Sequence, residues 1–114
     1  MIIPRVLLVT PEGVFYDGPA ESLTAPGVEG RFGVLARHAP MVAALQPGYL
    51  KIISGTEILF FAVTEGYVRV ERDRVFVLCQ QMRTATYLEE AQRKALAMAA
   101  ERTKEIAALQ AHAS

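Results

Sequence analysis

Every glycine and proline of this chain lies at or before Gly66, and the remaining residues, up to Ser114, contain neither. Glycine adds backbone conformations and proline removes them, so together they decide where a chain turns. The chain therefore has a part that turns often, followed by a part with no breaker. From Thr84 to Ser114 alanine is the dominant residue, ten in all, and this stretch reads as helix. Residues 1–83 read as strand and turn. The expected division is a β domain over 1–83 and a helical segment over 84–114.

The first part supplies short apolar runs between turn signals. Ile2 to Val9 is broken early by Pro4, which suggests a strand start or an edge. Pro11-Glu12-Gly13, Asp17-Gly18-Pro19, Ser54-Gly55-Thr56 and Arg72-Asp73 are turn chemistry. Val14-Phe15-Tyr16, Ser22 to Ala25, Tyr49 to Ile53, Val68-Val70 and Val75-Val77-Cys79 lie between them as strands. Ile58 to Val63 is a continuous apolar run, long enough for a strand buried on both sides. Nine or ten short strands at regular spacing predict an antiparallel β-sandwich.

The second part opens on Thr86-Tyr87-Leu88-Glu89, the spacing of a capping box in which Glu89 satisfies an orphan N–H of the first turn. Leu88, Ala91, Ala95, Ala99, Arg102, Ile106 and Leu109 form one stripe. Glu89 with Arg93, and Glu90 with Lys94, are i,i+4 pairs in the favourable order. A single helix is expected, with a hairpin folded near Ala100 as the other arrangement. Alanine makes the stripe poor in buried area, at about 0.8 kcal/mol per buried methylene. Such a helix either lies on its own sandwich or leaves it for a partner.

Twelve basic residues balance twelve acidic ones, with neither part strongly charged, so a nucleic-acid groove is not expected. Cys79 is the one cysteine, which suits a reducing compartment. No apolar run reaches membrane-spanning length, and the first residues lack a signal-peptide pattern. His38, His112 and Cys79 have no metal-ligand spacing. Gly27, Gly30 and Gly33 form neither a P-loop nor a dinucleotide fingerprint. Glu89 and Glu90 are helix neighbours that point different ways. No catalytic constellation, metal site or cofactor is expected from these residues. A hydrolase built on His38 would lack a nucleophile.

The stretch from Ala25 to Gly48 holds four glycines and three prolines around apolar residues. It reads as a rigid connection that presents a surface. His38, between Arg37 and Ala39, is either a hydrogen-bonded loop organiser or a contact residue for a protein partner. Pro40 pushes Ala39 towards extended geometry and makes a sharp corner there.

Six short segments then match one family in order and spacing. They are Val9-Thr10-Pro11-Glu12-Gly13-Val14, Pro26 through Leu35, His38-Ala39-Pro40, Leu45-Gln46-Pro47-Gly48, Phe61 through Tyr67, and Val75-Phe76-Val77-Leu78. Together they resemble the ε subunit of the F-type (F1Fo) ATP synthase over residues 2 to 83. The resemblance implies a β-sandwich and a C-terminal helical segment at the foot of the rotor. The sandwich would pack on the γ subunit and the c-ring, coupling ring rotation to γ. The helical part would dock on the sandwich or extend along γ towards the α/β hexamer and restrain ATP hydrolysis. Catalysis would belong to α and β.

By the same resemblance, Thr10, His38 and Ala43 correspond to the γ-facing surface, and Glu29, Gly30 and Arg31 to the ring-facing loop. The chain would sit peripherally on the cytoplasmic face of the membrane or its organellar equivalent. Three departures stand out. Arg31 replaces a usual acidic residue, Ala36-Arg37 replaces a usual proline-glycine, and Tyr87 to Gln92 lack the aspartate and arginine of ATP-binding relatives. No ATP site is therefore expected. The alternative reading is a free-standing β-sandwich that binds a small ligand or peptide.

Overall fold

The computed structural model describes residues 1–113, with side-chain surroundings given through Ala111. The His112 side chain lies outside the described residues. Ten strands precede one helix: β1 (Ile3–Thr10), β2 (Gly13–Ala20), β3 (Ser22–Gly27), β4 (Gly30–Leu35), β5 (Met41–Leu45), β6 (Gly48–Ser54), β7 (Glu57–Val63), β8 (Gly66–Val70), β9 (Arg74–Cys79), β10 (Met82–Ala85) and α1 (Leu88–Ala113).

Pairing runs β10-β7-β6-β3-β5-β8-β9-β1-β2, with β4 on β3. The path folds over at β3. Its Ser22–Thr24 half pairs with β6, whereas Gly27 alone reaches Leu45 of β5. One layer is then β4-β3-β6-β7-β10 and the other β5-β8-β9-β1-β2. Alternate residues of both layers, including Val6, Leu8, Leu23, Leu50, Ile52, Val68 and Val77, meet in one buried core.

Several expectations are sharpened by this topology. The sandwich is antiparallel except at β1 and β9, which run parallel from Arg5–Arg74 to Val9–Leu78. Distant strands meet there without a connecting turn to announce them. Pro4 is the second residue of β1, beside a register irregularity against β2, so it interrupts no regular ladder. The Ala25–Gly48 stretch is strand-rich instead of being one connection. It holds the end of β3, all of β4 and all of β5. β7 is buried on both faces only at its end: Phe61 and Val63 face the core and Ala62 faces α1, while Ile58 is exposed.

The helix is single, with no hairpin among the described residues. It lies against β6, β7 and β10, burying Ala91, Ala95 and Met98. Met98, not Ala99, supplies the bulk of that contact, packing with Ala95 on Ala62. Ile106 and Leu109 belong to the expected stripe but are exposed, because the helix outruns the sheet that it lies on. The capping carboxylate is Glu90, which accepts from the Thr86 N–H at 3.0 Å, in place of Glu89. Glu90 also pairs with Lys94 at 2.8 Å, and Lys94 in turn donates to the Thr84 carbonyl.

Arg37 has φ of 65°, the left-handed region that favours glycine. The neighbouring turn is closed by the His38 N–H on the Leu35 carbonyl. Arginine thus sits where a glycine would be unstrained. Arg37→Gly is expected to stabilise the fold by about 0.5–1 kcal/mol net of the glycine's greater chain entropy. Denaturant midpoints at constant m-value would check this, and a lower midpoint would contradict it.

Candidate functional site

The outer faces of the two layers differ. The outer face of β6, β7 and β10 carries α1. The outer face of β5, β8, β9 and β1 carries nothing among the described residues. Side chains that alternate with the core point outward there. Val42 and Ala44 come from β5, Tyr67 and Arg69 from β8, Phe76 and Leu78 from β9, and Leu7 and Val9 from β1. Val42 is 69% exposed and Tyr67 44%. Val14 extends this apolar face onto β2 with 62% exposure. The face is apolar along the row Ala44, Tyr67, Leu78 and Val9, while Arg69 and the Arg5–Asp17 ion pair lie beside that row. An apolar row rimmed by polar groups and left in water marks an interaction surface.

The expected γ-facing residues are spread along this layer. β5, β9 and β1 run in the same direction. His38 precedes the start of β5 and Thr10 ends β1, so the two lie at opposite ends of the layer. Ala43 lies between them along the strand direction. It is half-buried, in register with buried Val68 and on the core-facing parity of Leu45. Its neighbours Val42 and Ala44 present the outward surface. A one-residue step changes the face of a strand, so Ala43 and its two neighbours present opposite faces.

Thr10 and His38 both organise their loops. Thr10 is buried and its hydroxyl accepts from the Glu12 N–H at 3.1 Å, closing the β1–β2 turn. His38 Nδ1 lies 2.8 Å from the Ala39 carbonyl, and the ring borders a shallow groove with Arg37, Arg72 and Asp73. Neither side chain is joined to a nucleophile.

The expected ring-facing residues sit at the β3–β4 turn. Gly30 has φ of 127° there, which a side chain would strain. Gly27 allows the close crossing, since a Cβ on it would meet the Gly30 carbonyl oxygen at 2.6 Å. Val28 and Glu29 form the exposed tip, tied back by the Val28 N–H on the Ala44 carbonyl at 2.9 Å. Arg31 does not project with Glu29. Its guanidinium carbon lies 3.5 Å from the centre of the Tyr49 ring, a cation–π contact on the helix-bearing side. Partial burial lowers the Arg31 pKa from its ordinary value. The tip and Ala43 line one groove, so the structure brings together residues assigned to two different partners.

Two contacts escaped the sequence reading. Arg31 with Tyr49 joins residues 18 positions apart on strands that do not pair, and nothing local signals it. Arg102 carries a charge on an apolar stripe and meets Glu65, at the turn between β7 and β8, at 2.8 Å through Nε. A charge on the buried face of a helix was the available signal.

Cys79 is buried, with its thiol donating to the Gln81 carbonyl at 3.3 Å. Burial pushes its pKa up to about 11 from an ordinary 9.0. Cys79 in the folded chain is expected to react with thiol reagents on the order of a hundredfold more slowly near neutral pH than after unfolding. The raised value also means that its stabilising contribution is complete below the unfolded pKa and is lost as pH rises through about 11. Equal labelling rates of native and denatured chain would contradict this burial.

Residues 5–85 match the family described as ATP synthase, Delta/Epsilon chain, beta-sandwich domain. This chain belongs to that family. Relatives include the ATP synthase epsilon chain of Acidithiobacillus ferridurans, 41% identical over 84% of this chain and 68% of its own length. That of Leptospira borgpetersenii is 38% identical over 82% of this chain and 74% of its own length. Among solved structures, a chain of the Euglena gracilis mitochondrial ATP synthase, determined as OSCP/F1/c-ring, matches with TM-score 0.68 and 25% identity over 88% of this chain. A chain of the Tetrahymena thermophila central stalk and c-ring shares the fold, with TM-score 0.61 and 23% identity over 69% of this chain. This chain spans less than two thirds of those two solved chains, 62% and 64% respectively. The family match covers all ten strands apart from the first two residues of β1, and ends before α1.

Proposed function

We propose that this chain is a rotor subunit in the central stalk of an F-type ATP synthase, coupling c-ring rotation to γ and carrying no catalytic site. The observation that carries this is the apolar row across the outer face of β5-β8-β9-β1, left uncovered in a sandwich of the ATP synthase Delta/Epsilon chain family. γ covers this face, with Thr10 and His38 marking its two ends and Val42, Ala44 and Tyr67 making the contact around Ala43. The Val28–Glu29 tip, with Gly30 and Arg31 behind it, meets the c-ring. No described helix is long and apolar enough to cross a membrane. The chain is held at the membrane's cytoplasmic face, or its organellar equivalent, through the complex. Within it, the strands act as the binding domain and α1 as the modulating helix. The division falls after Ala85 and not at the expected 83/84, because Thr84 and Ala85 belong to β10 and the helix begins at Leu88.

A photo-crosslinking amino acid at Val42 of the assembled enzyme is expected to capture γ, and one at Glu29 to capture the c-ring. Capture of neither in an intact complex would contradict the proposal. The helix buries mainly alanine, so a chain ending at Ala85 is expected to preserve coupling and raise ATP hydrolysis only modestly. A large rise in the ATPase rate of membranes carrying that chain would show a stronger brake.

A further inference from the structure

One end of the open layer is basic. β1, β5 and β9 start there and β8 ends there, and arginines collect around it. Arg5 is answered by Asp17 at 2.9 Å and Arg69 by Glu71 at 3.4 Å. Arg37, Arg72 and Arg74 have neither an ion pair nor a side-chain hydrogen bond among the described residues, and all three are exposed. Arg37 and Arg72 flank a groove of about 630 Å³ with His38 and Asp73, and Asp73 pairs with neither of them.

Two features show that this end is kept at the expense of the fold. Arg74 lies in register with Arg5 on the paired strand, and like charges side by side repel. Arg37 is held at φ of 65°, where a glycine would be unstrained. Backbone strain that carries no benefit to folding points to a role in function.

We propose that this basic end receives an acidic segment of γ, whose carboxylates pair with Arg37, Arg72 and Arg74. This rests on the function proposed above and adds the chemistry of the partner and the direction in which it lies on the sheet. The planar fork of arginine meets a carboxylate through two parallel hydrogen bonds, so arginines suit that partner. Position favours a protein over a lipid surface. The arginines begin one row from the apolar row, at Arg69 beside Val42. The tip assigned to the c-ring is tied to Ala44, towards the other end of β5. Charge at the rim of an interface orients and steers a partner more than it adds affinity.

The test uses the full chain and purified γ, with calorimetry over a range of salt. Wild-type affinity is expected to fall as salt rises. Arg37→Gly, Arg72→Gln and Arg74→Gln are each expected to weaken γ binding roughly threefold, and together by more than about tenfold with most of the salt dependence gone. Arg37→Gly separates the roles, because the fold is expected to gain stability while affinity falls, which a structural role for Arg37 would not produce. Arg37→Lys keeps the charge and is expected to hold most of the affinity. Lys104→Gln, the same change of charge at an exposed helix position, is expected to bind as the wild type does. Unchanged affinity and salt dependence in the triple variant overturns the acidic contact while leaving the rotor reading in place. A triple variant that loses binding to phosphatidylglycerol vesicles but keeps γ also overturns it, and assigns the arginines to the membrane. No binding of γ by the wild type overturns the rotor reading and this contact with it.

Discussion

Gly66→Ala is expected to cost about 3 kcal/mol and lower the thermal midpoint by roughly 12 °C, at the upper end for overpacking in a chain of this size. Gly66 opens β8 and pairs with Leu45 on one side and Cys79 on the other. A Cβ there would lie 2.0 Å from the Leu78 carbonyl oxygen and 2.6 Å from Cys79 Cα. These are backbone atoms of a paired strand, so they cannot swing aside as a side-chain tip would. The glycine is needed for space, since its φ is not in the left-handed region. Gly33 gives the contrast. A Cβ there finds only the Leu23 carbonyl oxygen, at 4.0 Å. Gly33→Ala is expected to hold or raise stability by about 0.5 kcal/mol, as alanine loses less chain entropy than glycine in a strand. A Gly66→Ala chain that melts with the wild type would show that the strands do not approach as described.

Tyr67→Asp together with Val42→Asp is expected to weaken γ binding by more than a hundredfold while leaving the fold intact. A central aromatic anchor such as Tyr67 costs about 2 kcal/mol or more when truncated at an interface, roughly 30-fold, and Val42 adds a smaller loss. A carboxylate placed on an apolar face adds a desolvation penalty to that loss. Both side chains already stand in water in the free chain, so their replacement removes little from the core. Leu96→Asp is the matched control, since Leu96 is 74% exposed on the helix and away from this face. It is expected to bind γ as the wild type does. If the helix variant loses binding and the sheet variant keeps it, the faces have been assigned the wrong way round.

The division of this chain was legible because turn residues and alanine segregate so cleanly along it. The sandwich was legible too, from alternation and turn chemistry. What escaped has a common cause. The parallel meeting of β1 and β9, the Arg31–Tyr49 contact and the Arg102–Glu65 clasp all join residues whose neighbours give no hint of one another. β4 was hidden because Gly30 and Gly33 dilute its alternation, although pairing with β3 fixes every residue from Gly30 to Leu35. Ala43 shows the limit at the site itself. Resemblance points to a residue of β5, and the parity set by buried Leu45 and Val68 gives the outward surface of that strand to its neighbours Val42 and Ala44.

Hydroxyl-radical footprinting of the assembled ATP synthase against the free chain tests most directly whether the open sheet face is where the rotor holds this protein. Tyr67, Leu78 and Val42 are expected to be strongly protected in the complex, with Ile58 and Leu96 still modified. Modification of Tyr67 and Val42 at the same rate in both states would contradict the account.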